Sequence, residues 1–452
     1  MESNPTLKAA IAHYDALLQE TPTTLTESRD FLAARSAEEK MIFGGRPLSP
    51  YLRPHFITAE QWRYLCAECA RIWECVEIVG RTALTDRRIY DDLGITDGEA
   101  RLIEIDPGYT GISITSRLDS FLTEEAFSFV ELNAENPAGI SYCEVMARIF
   151  MDLPVMQRFV EKHPVMPLYA RHLLLETLLT AYQEWSGGTD KPRIAIVDWE
   201  GLPTQCEFEQ FQAYFQSEGF ECIIAPPEKL DYHAGRLCCG DFKIDLVYRR
   251  VLTNDILERP EECKALVNAY RDRAVCVVNG FRTKFVHKKM FFGVLTDERY
   301  AALFTPEQQA AIRAHIPWTR RLAEGKTTYA GETVDLLEFI RAHQTRLVIK
   351  PNDEYGGKGV VVGWEATPAE WETAIAEGLH GDCLVQEKVP TAHEVFPHFT
   401  PEGGIDFIEQ LVDLDPLLFH GKVGGAFTRL SSTALCNVTS GGGMVPTFVL
   451  KD

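Results

Sequence analysis

The chain has 452 residues, 45% of them hydrophobic, which is enough for two or three domains and several buried cores. Its 45 lysines and arginines stand against 66 aspartates and glutamates, a formal net charge of −21. That balance disfavours nucleic acid and anionic membranes as partners, and an acidic chain that handles polyphosphate must gather its cations locally.

The opening, MESNPTLKAAIAHYD, is polar and helix-like, without the basic and apolar regions of a signal peptide. No apolar run approaches the ~20 residues that span a bilayer, so a cytoplasmic protein is expected. Apolar residues at helical spacing predict helices over NPTLKAAIAHYDALLQE, TESRDFLAARSAEEKM and ITAEQWRYLCAECARIWECVEIV, with the Gly- and Pro-rich FGGRPLSPYLRPHF as a loop between them. The third helix carries the C-x-x-C pair Cys66 and Cys69, but no second pair follows at zinc spacing, so core packing is expected. The other cysteines are scattered through apolar patterns, as at Cys222, Cys276 and Cys383, and read as small buried hydrophobes.

From Ile112 to Asn133 the pattern turns strand-like: GISITSRLDSF, a break at TEEA, then FSFVELNAENPAG. Helices follow to Gln183, and SGGTDKP at 186–192 is the first linker. Beyond it RIAIVDWEG reads as a strand, EFEQFQAYFQSEG as a helix closed by Gly219, and FECIIAPP and FKIDLVYRR as further strands. This alternation indicates a small α/β layer with a parallel sheet. A further region starts at AVCVVNGF and contains HKKMFFGVLTDERY, a predicted helix ETVDLLEFIRAH, the run RLVIKPNDEYGGKGVVVGW, a helix PAEWETAIAEGL and CLVQEKV. The strands DFIEQLVDL and LLFHGKVGGAFTRLS then lead to NVTSGGGMVPTFVL.

Two stretches carry chemistry. In RLVIKPNDEYGGKGVVVGW a strand ends at Lys350 and a loop holds Gly356, Gly357, Lys358 and Gly359. Such a loop can bring backbone N–H groups close to a polyphosphate, with lysines on either side to neutralise it; the other reading is a hairpin whose turn needs glycine. In the second stretch, Glu131 and Asn133 project from one face of a strand and can converge on one cation, and Asp119 on the preceding strand can add a carboxylate. Three oxygen ligands suit Mg²⁺. Arg117 shares the face of Asp119, where a guanidinium could stabilise a transferring phosphoryl group; an ordinary solvated strand face is the competing reading.

Together, R-x-D, E-x-N, a lysine before a short helix, a strand ending I-K-P, the G-G-x-G loop and a strand ending V-Q-E resemble the parts of an ATP-grasp ligase. The metal segment precedes the lysine segments by over 150 residues, an order that resembles the circularly permuted ATP-grasp families, including the synthetase domain of glutathionylspermidine synthetase. The resemblance spans about residues 100–452. It implies an α/β (α+β) fold in permuted order: a helical region with the metal strands over 1–190, a Rossmann-like layer over 191–278 and nucleotide-binding subdomains over 279–452.

The same resemblance implies ATP and Mg²⁺, with Asp119, Glu131 and Asn133 holding the metal. Lys350 would be the second family lysine, Gly356 to Gly359 the flexible lid with Lys358 as an added cation, and Gln386, Glu387, Lys388 and Val389 the hinge near adenine. The first family lysine lies in FRTKFVHKKMFFGVL, with Lys289 best placed and Lys288 and Lys284 as alternatives. Arg250, beside Arg249, ends a strand where a substrate carboxylate could bind or where a structural ion pair could form. Arg429, Asn437 and the glycines 441–443 resemble other permuted members more than that synthetase, and an amidase-like domain is lacking. The implied activity is ligation of a small-molecule or peptide carboxylate to an amine, with a kinase on the same fold or a non-catalytic nucleotide binder as alternatives.

Overall fold

The computed structural model describes residues 4–400, 402–434, 436 and 442–451. Helices Pro5–Glu20 and Pro22–Glu38 start with proline behind Asn4 and Thr21, whose side-chain oxygens accept the first free backbone N–H groups. Helix Ala59–Ala83 opens with a capping box between Thr58 and Gln61 and buries Leu65, Cys69, Ile72, Val76 and Val79 at three- and four-residue spacing. Cys69 is therefore core, and burial raises its thiol well above the usual range, while the thiol of Cys66 is pushed up to about 11.

The predicted parallel layer is present, ordered Cys276–Val278, Leu246–Arg249, Ile194–Val197 and Cys222–Ala225. Ile194–Val197 is apolar throughout because both faces are covered. FKIDLVYRR, expected as one strand, is two. Phe242–Ile244 closes a small meander with Arg236–Cys239 and Asp231–His233, while Leu246–Arg249 enters the parallel sheet. The break falls at Asp245, whose carboxylate accepts the Arg193 guanidinium at 2.8 and 3.0 Å and the Arg193 backbone N–H at 3.0 Å.

A four-stranded antiparallel sheet follows in the order Thr319–Arg321, Cys383–Glu387, Leu347–Pro351, Val361–Val362. Beside it the helix expected over ETVDLLEFIRAH is strand at its start: Glu332–Asp335 pairs with Lys326–Tyr329, and the helix begins at Leu336. The β-branched pair Thr333 and Val334 follows a turn at Ala330 and Gly331 with φ of 50° and 85°, which sets up a hairpin.

A larger antiparallel sheet joins the two ends of the chain. Its order is Gly443–Val445, Lys422–Ser431, Ile405–Phe419, Thr115–Leu122, Phe127–Asn133, with Ala392–Phe399 also paired to Ile405–Phe419. DFIEQLVDL and LLFHGKVGGAFTRLS, expected as two strands with a break at Asp415 and Pro416, divide elsewhere, as Ile405–Phe419 and Lys422–Ser431. The first runs through Pro416, and the chain turns at His420 and Gly421, both at positive φ. Pro416 stands opposite Ala426 on one side, and on the other the ladder with Thr115–Leu122 covers only Leu417 to Phe419. Thr447–Leu450 lies between His55–Thr58 and Val165–Pro167, tying the C-terminal strand to the N-terminal half.

Candidate active site

The Thr115–Leu122/Phe127–Asn133 hairpin places Arg117 opposite Asn133 and Asp119 opposite Glu131. It is pinned to the parallel sheet by Asn279, which accepts the N–H groups of Ile114 and Thr115 and donates to the carbonyls of Thr115, Ala134 and Glu135. On the hairpin, Asp119 is a hub. Its Oδ1 accepts Arg117 Nε at 2.8 Å and Asn133 Nδ2 at 2.9 Å, and its Oδ2 accepts Arg117 Nη2 at 3.1 Å and Arg429 Nη2 at 2.6 Å. Burial would raise this carboxyl, but the two guanidiniums hold it well below the ordinary range.

Two acids outside the sequence-based set complete the cluster. Asp413 and Asp415, on the long strand, both pair with Arg429, and Asp415 lies 3.5 Å from Arg117. One oxygen each of Asp119, Asp413 and Asp415 lie within 4.8 Å of one another. Burial raises the pKa of both Asp413 and Asp415. Their D-x-D spacing in LVDLDPL is a same-face strand signal, but the break expected at Pro416 cut across it.

The hairpin faces a cavity of about 640 Å³ whose opposite wall comes from residues more than 150 positions away. Lys289 reaches Glu131 at 3.4 Å and donates to the Glu354 carbonyl. Burial would raise Glu131, and Lys289 then Lys350 pull it below its usual value. Lys350 donates to Gln386 Oε1 at 2.7 Å and to the Val130 carbonyl at 3.4 Å, and burial lowers it to about 8. Gln386 is held in turn by Thr319 Oγ1 at 3.1 Å. Lys284 and Lys288 are elsewhere, buried against Glu99 and Asp353, with Lys284 also on Glu135.

Gly356, Gly357 and Gly359 take φ of 68°, 75° and 71°, where L side chains are strained, so the loop requires glycine. It does connect a hairpin, Val348 to Val362 and Ile349 to Val361, and Gly356, Gly357 and Lys358 also line the cavity. A Cβ on Gly359 would lie 2.7 Å from the Pro351 ring. Lys358 pairs with Glu354 at 3.1 Å. Gln386, Glu387, Lys388 and Val389 line the far end. There the Glu387 carboxylate takes Tyr329 and Arg346, and the Lys388 ammonium sits 4.1 Å from the centre of the Trp364 ring.

At the other end Arg250, buried, donates to the Pro137 carbonyl at 2.9 Å and the Tyr248 hydroxyl at 3.2 Å, with Glu207 at 3.9 Å. Arg249 is wholly structural, pairing with Glu135 at 3.1 Å and the Asn279 carbonyl at 2.8 Å. Arg429 lines the cavity with Arg117. Asn437 and Gly441 lie outside the described residues, and Gly443 begins a strand paired to Leu430.

An antiparallel sheet bearing Lys350 and a glycine loop, with Lys289 at the start of the helix Met290–Thr296 beside it, faces a second sheet bearing acids and amide, and together they define a nucleotide-clamping architecture. The match to a family model described as a circularly permuted ATP-grasp covers residues 111–383, and the chain belongs to that family. A glutathione synthetase-like effector from Globodera pallida shares the fold at 13% identity and a TM-score of 0.59, over 95% of this chain and 98% of that one. A γ-glutamylcysteine synthetase described as putative, from Methylobacillus flagellatus KT, matches at 13% identity and a TM-score of 0.41, over 84% and 85%. The D-cycloserine synthetase DcsG matches at 14% identity and 0.26, over 57% and 91%. No curated protein matches. Among the described residues no helix is long and apolar enough to cross a membrane.

Proposed function

We propose that this protein is an ATP-dependent ligase that joins a small-molecule or peptide carboxylate to an amine through an acyl-phosphate, releasing ADP and phosphate, and that it works in the cytoplasm. The observation that carries the reading is the convergence on one cavity of Asp119, Glu131 and Asn133 from one sheet with Lys350 and the glycine loop from another and Lys289 from the start of the helix Met290–Thr296. Membership of the ATP-grasp family and the likeness to the glutathione synthetase-like fold support it.

The residues present fit Mg²⁺. The donor set is all oxygen, a half-turn of the Asn133 amide would present Oδ1 where Nδ2 now bridges two carboxylates, and Asp413 Oδ1 is buried without a hydrogen-bond partner. Bound there, Mg²⁺ would neutralise phosphate charge. The chain's own groups do the rest. Lys350 and Lys289 offset the negative charge of the phosphates, the Gly356 to Gly359 loop offers backbone N–H groups, and Gln386 to Val389 flank the base. Arg117, Arg250 and Arg429 supply positive charge at the end where a carboxylate would be activated.

The test is isotopic. With ¹⁸O in the donor carboxylate, one labelled oxygen should appear in released phosphate, with ADP as the nucleotide product. Label in AMP, or none in phosphate, sinks the proposal, and phosphate transfer to a hydroxyl without any amine would mean a kinase. Glu131→Ala should abolish turnover while the protein stays folded, because Glu131 is a partly exposed strand residue.

A further inference from the structure

Asp198 follows the strand Ile194–Val197 and Arg250 follows Leu246–Arg249, so both stand at the carboxyl ends of adjacent parallel strands, the edge where open α/β sheets take ligands. Both line the cavity described above, beside Tyr142, Trp199 and Asp255. Among the described residues, the other buried carboxylates each have a basic side chain within ion-pair distance: Glu68 has Arg71 and His315, Glu99 has two lysines, Glu135 and Glu144 have arginines, Glu207 has Arg250, and the site aspartates share Arg429.

Asp198, 9% exposed, has no such ion-pair partner; its Oδ1 accepts the Trp199 backbone N–H at 2.9 Å. A buried carboxylate without a directly paired cation is costly unless something completes it. Near it, three more polar atoms are buried without a hydrogen-bond partner: the Tyr142 hydroxyl, Arg250 Nε and Trp199 Nε1. Tyr142 and Arg250 are each only 3% exposed. The adjoining wall carries Leu202, Pro203 and Leu252, which suits a carbon skeleton.

We propose that Asp198 binds the acceptor amine, which enters as an alkylammonium ion, and takes the proton that the nitrogen must lose before it attacks. The inference rests on the ligase reading above. In the step, one N–H proton passes to the Asp198 carboxylate and the freed electron pair forms the C–N bond at the acyl carbon. The C–O bond to phosphorus-bound oxygen breaks, with its pair leaving on phosphate. A second N–H proton departs with that phosphate, and the third stays on the amide. Burial raises Asp198 to about 6, opposed by Arg250, so it is ionised at neutral pH yet more basic than an ordinary aspartate.

The test uses the full chain with n-propylammonium as probe and 1-propanol as its uncharged isostere, titrated calorimetrically into wild type and Asp198→Asn. Wild type should prefer the ammonium, and Asp198→Asn should lose roughly tenfold to a hundredfold in its binding while ATP affinity is unchanged. No preference in wild type, or equal binding by both proteins, overturns the assignment. The ligase reading is judged separately, by ADP release from ATP with the twenty amino acids as carboxylate donors and hydroxylamine as acceptor. Hydroxylamine is neutral near pH 7.5, so Asp198→Asn should lose far more of the propylamine-dependent rate than of the hydroxylamine-dependent one. Loss of both to the same degree counts against a specific role for Asp198. No ADP release in wild type counts against the ligase reading, with the ammonium titration still deciding on Asp198.

Discussion

Replacing Arg429 by methionine should expose the electrostatics of the acid cluster. Arg429 contacts Asp119 at 2.6 Å and Asp415 at 3.0 Å, and also bonds Asp413. Without it, three buried carboxylates face the single guanidinium of Arg117, which already holds Asp119 bidentately and stands 3.5 Å from Asp415. Asp413 is left with no cation. Breaking a buried pair on one side costs about 3–5 kcal/mol. The chain can relieve this only by protonating Asp413 or Asp415, at about 1.4 kcal/mol per pH unit above the ordinary carboxyl pKa. Both carboxyls are already raised in the folded protein, so the folded state holds their protons more tightly than the unfolded one and stability grows as pH falls. Urea unfolding followed by tryptophan fluorescence should therefore show Arg429→Met destabilised by about 3–4 kcal/mol at pH 7.5, with much of the loss recovered at pH 5.5. Adding Asp413→Asn should restore part of it. A loss of equal size at both pH values, or no rescue by the second substitution, would refute the reasoning.

Because Lys350 is lowered to about 8 by burial, nucleotide binding should restore its proton, so ATP affinity should fall as pH rises through about 8 and binding should take up protons above it. Calorimetry in buffers of different ionisation enthalpy measures this, and Lys350→Met should show none of the uptake. Gly357→Val forces a β-branched residue to a φ of 75°, at a cost of about 1–2 kcal/mol, in a loop with little else to lose. ATP affinity should drop well before the melting temperature does, and equal loss of both would favour a purely structural turn.

Legibility in the sequence followed the range of each signal. The R-x-D and E-x-N spacing and the glycine loop are local patterns set by period-two strand geometry and by positive φ, and the hairpin and loop lie where those patterns put them. The parallel layer was equally readable, since strands covered on both faces are apolar throughout. Misreadings came where a tertiary partner overrode local preference. Arg193 split one strand at Asp245, a hairpin turn claimed the start of ETVDLLEFIRAH, and the long strand carried Pro416 just ahead of its ladder with Thr115–Leu122.

Local periodicity thus determined the parallel layer and the residue types of the site, and the resemblance carried by the motifs implied the fold class and the permuted order of its parts. Only the folded structure decided that Asp413 and Asp415 join Asp119 around Arg429, that Lys289 rather than Lys284 or Lys288 reaches the cavity, and that Asp198 stands there without an ion-pair partner. Those facts depend on strands from the two ends of the chain hydrogen-bonding in one register, and charges paired across some 300 positions leave no periodic trace along the sequence.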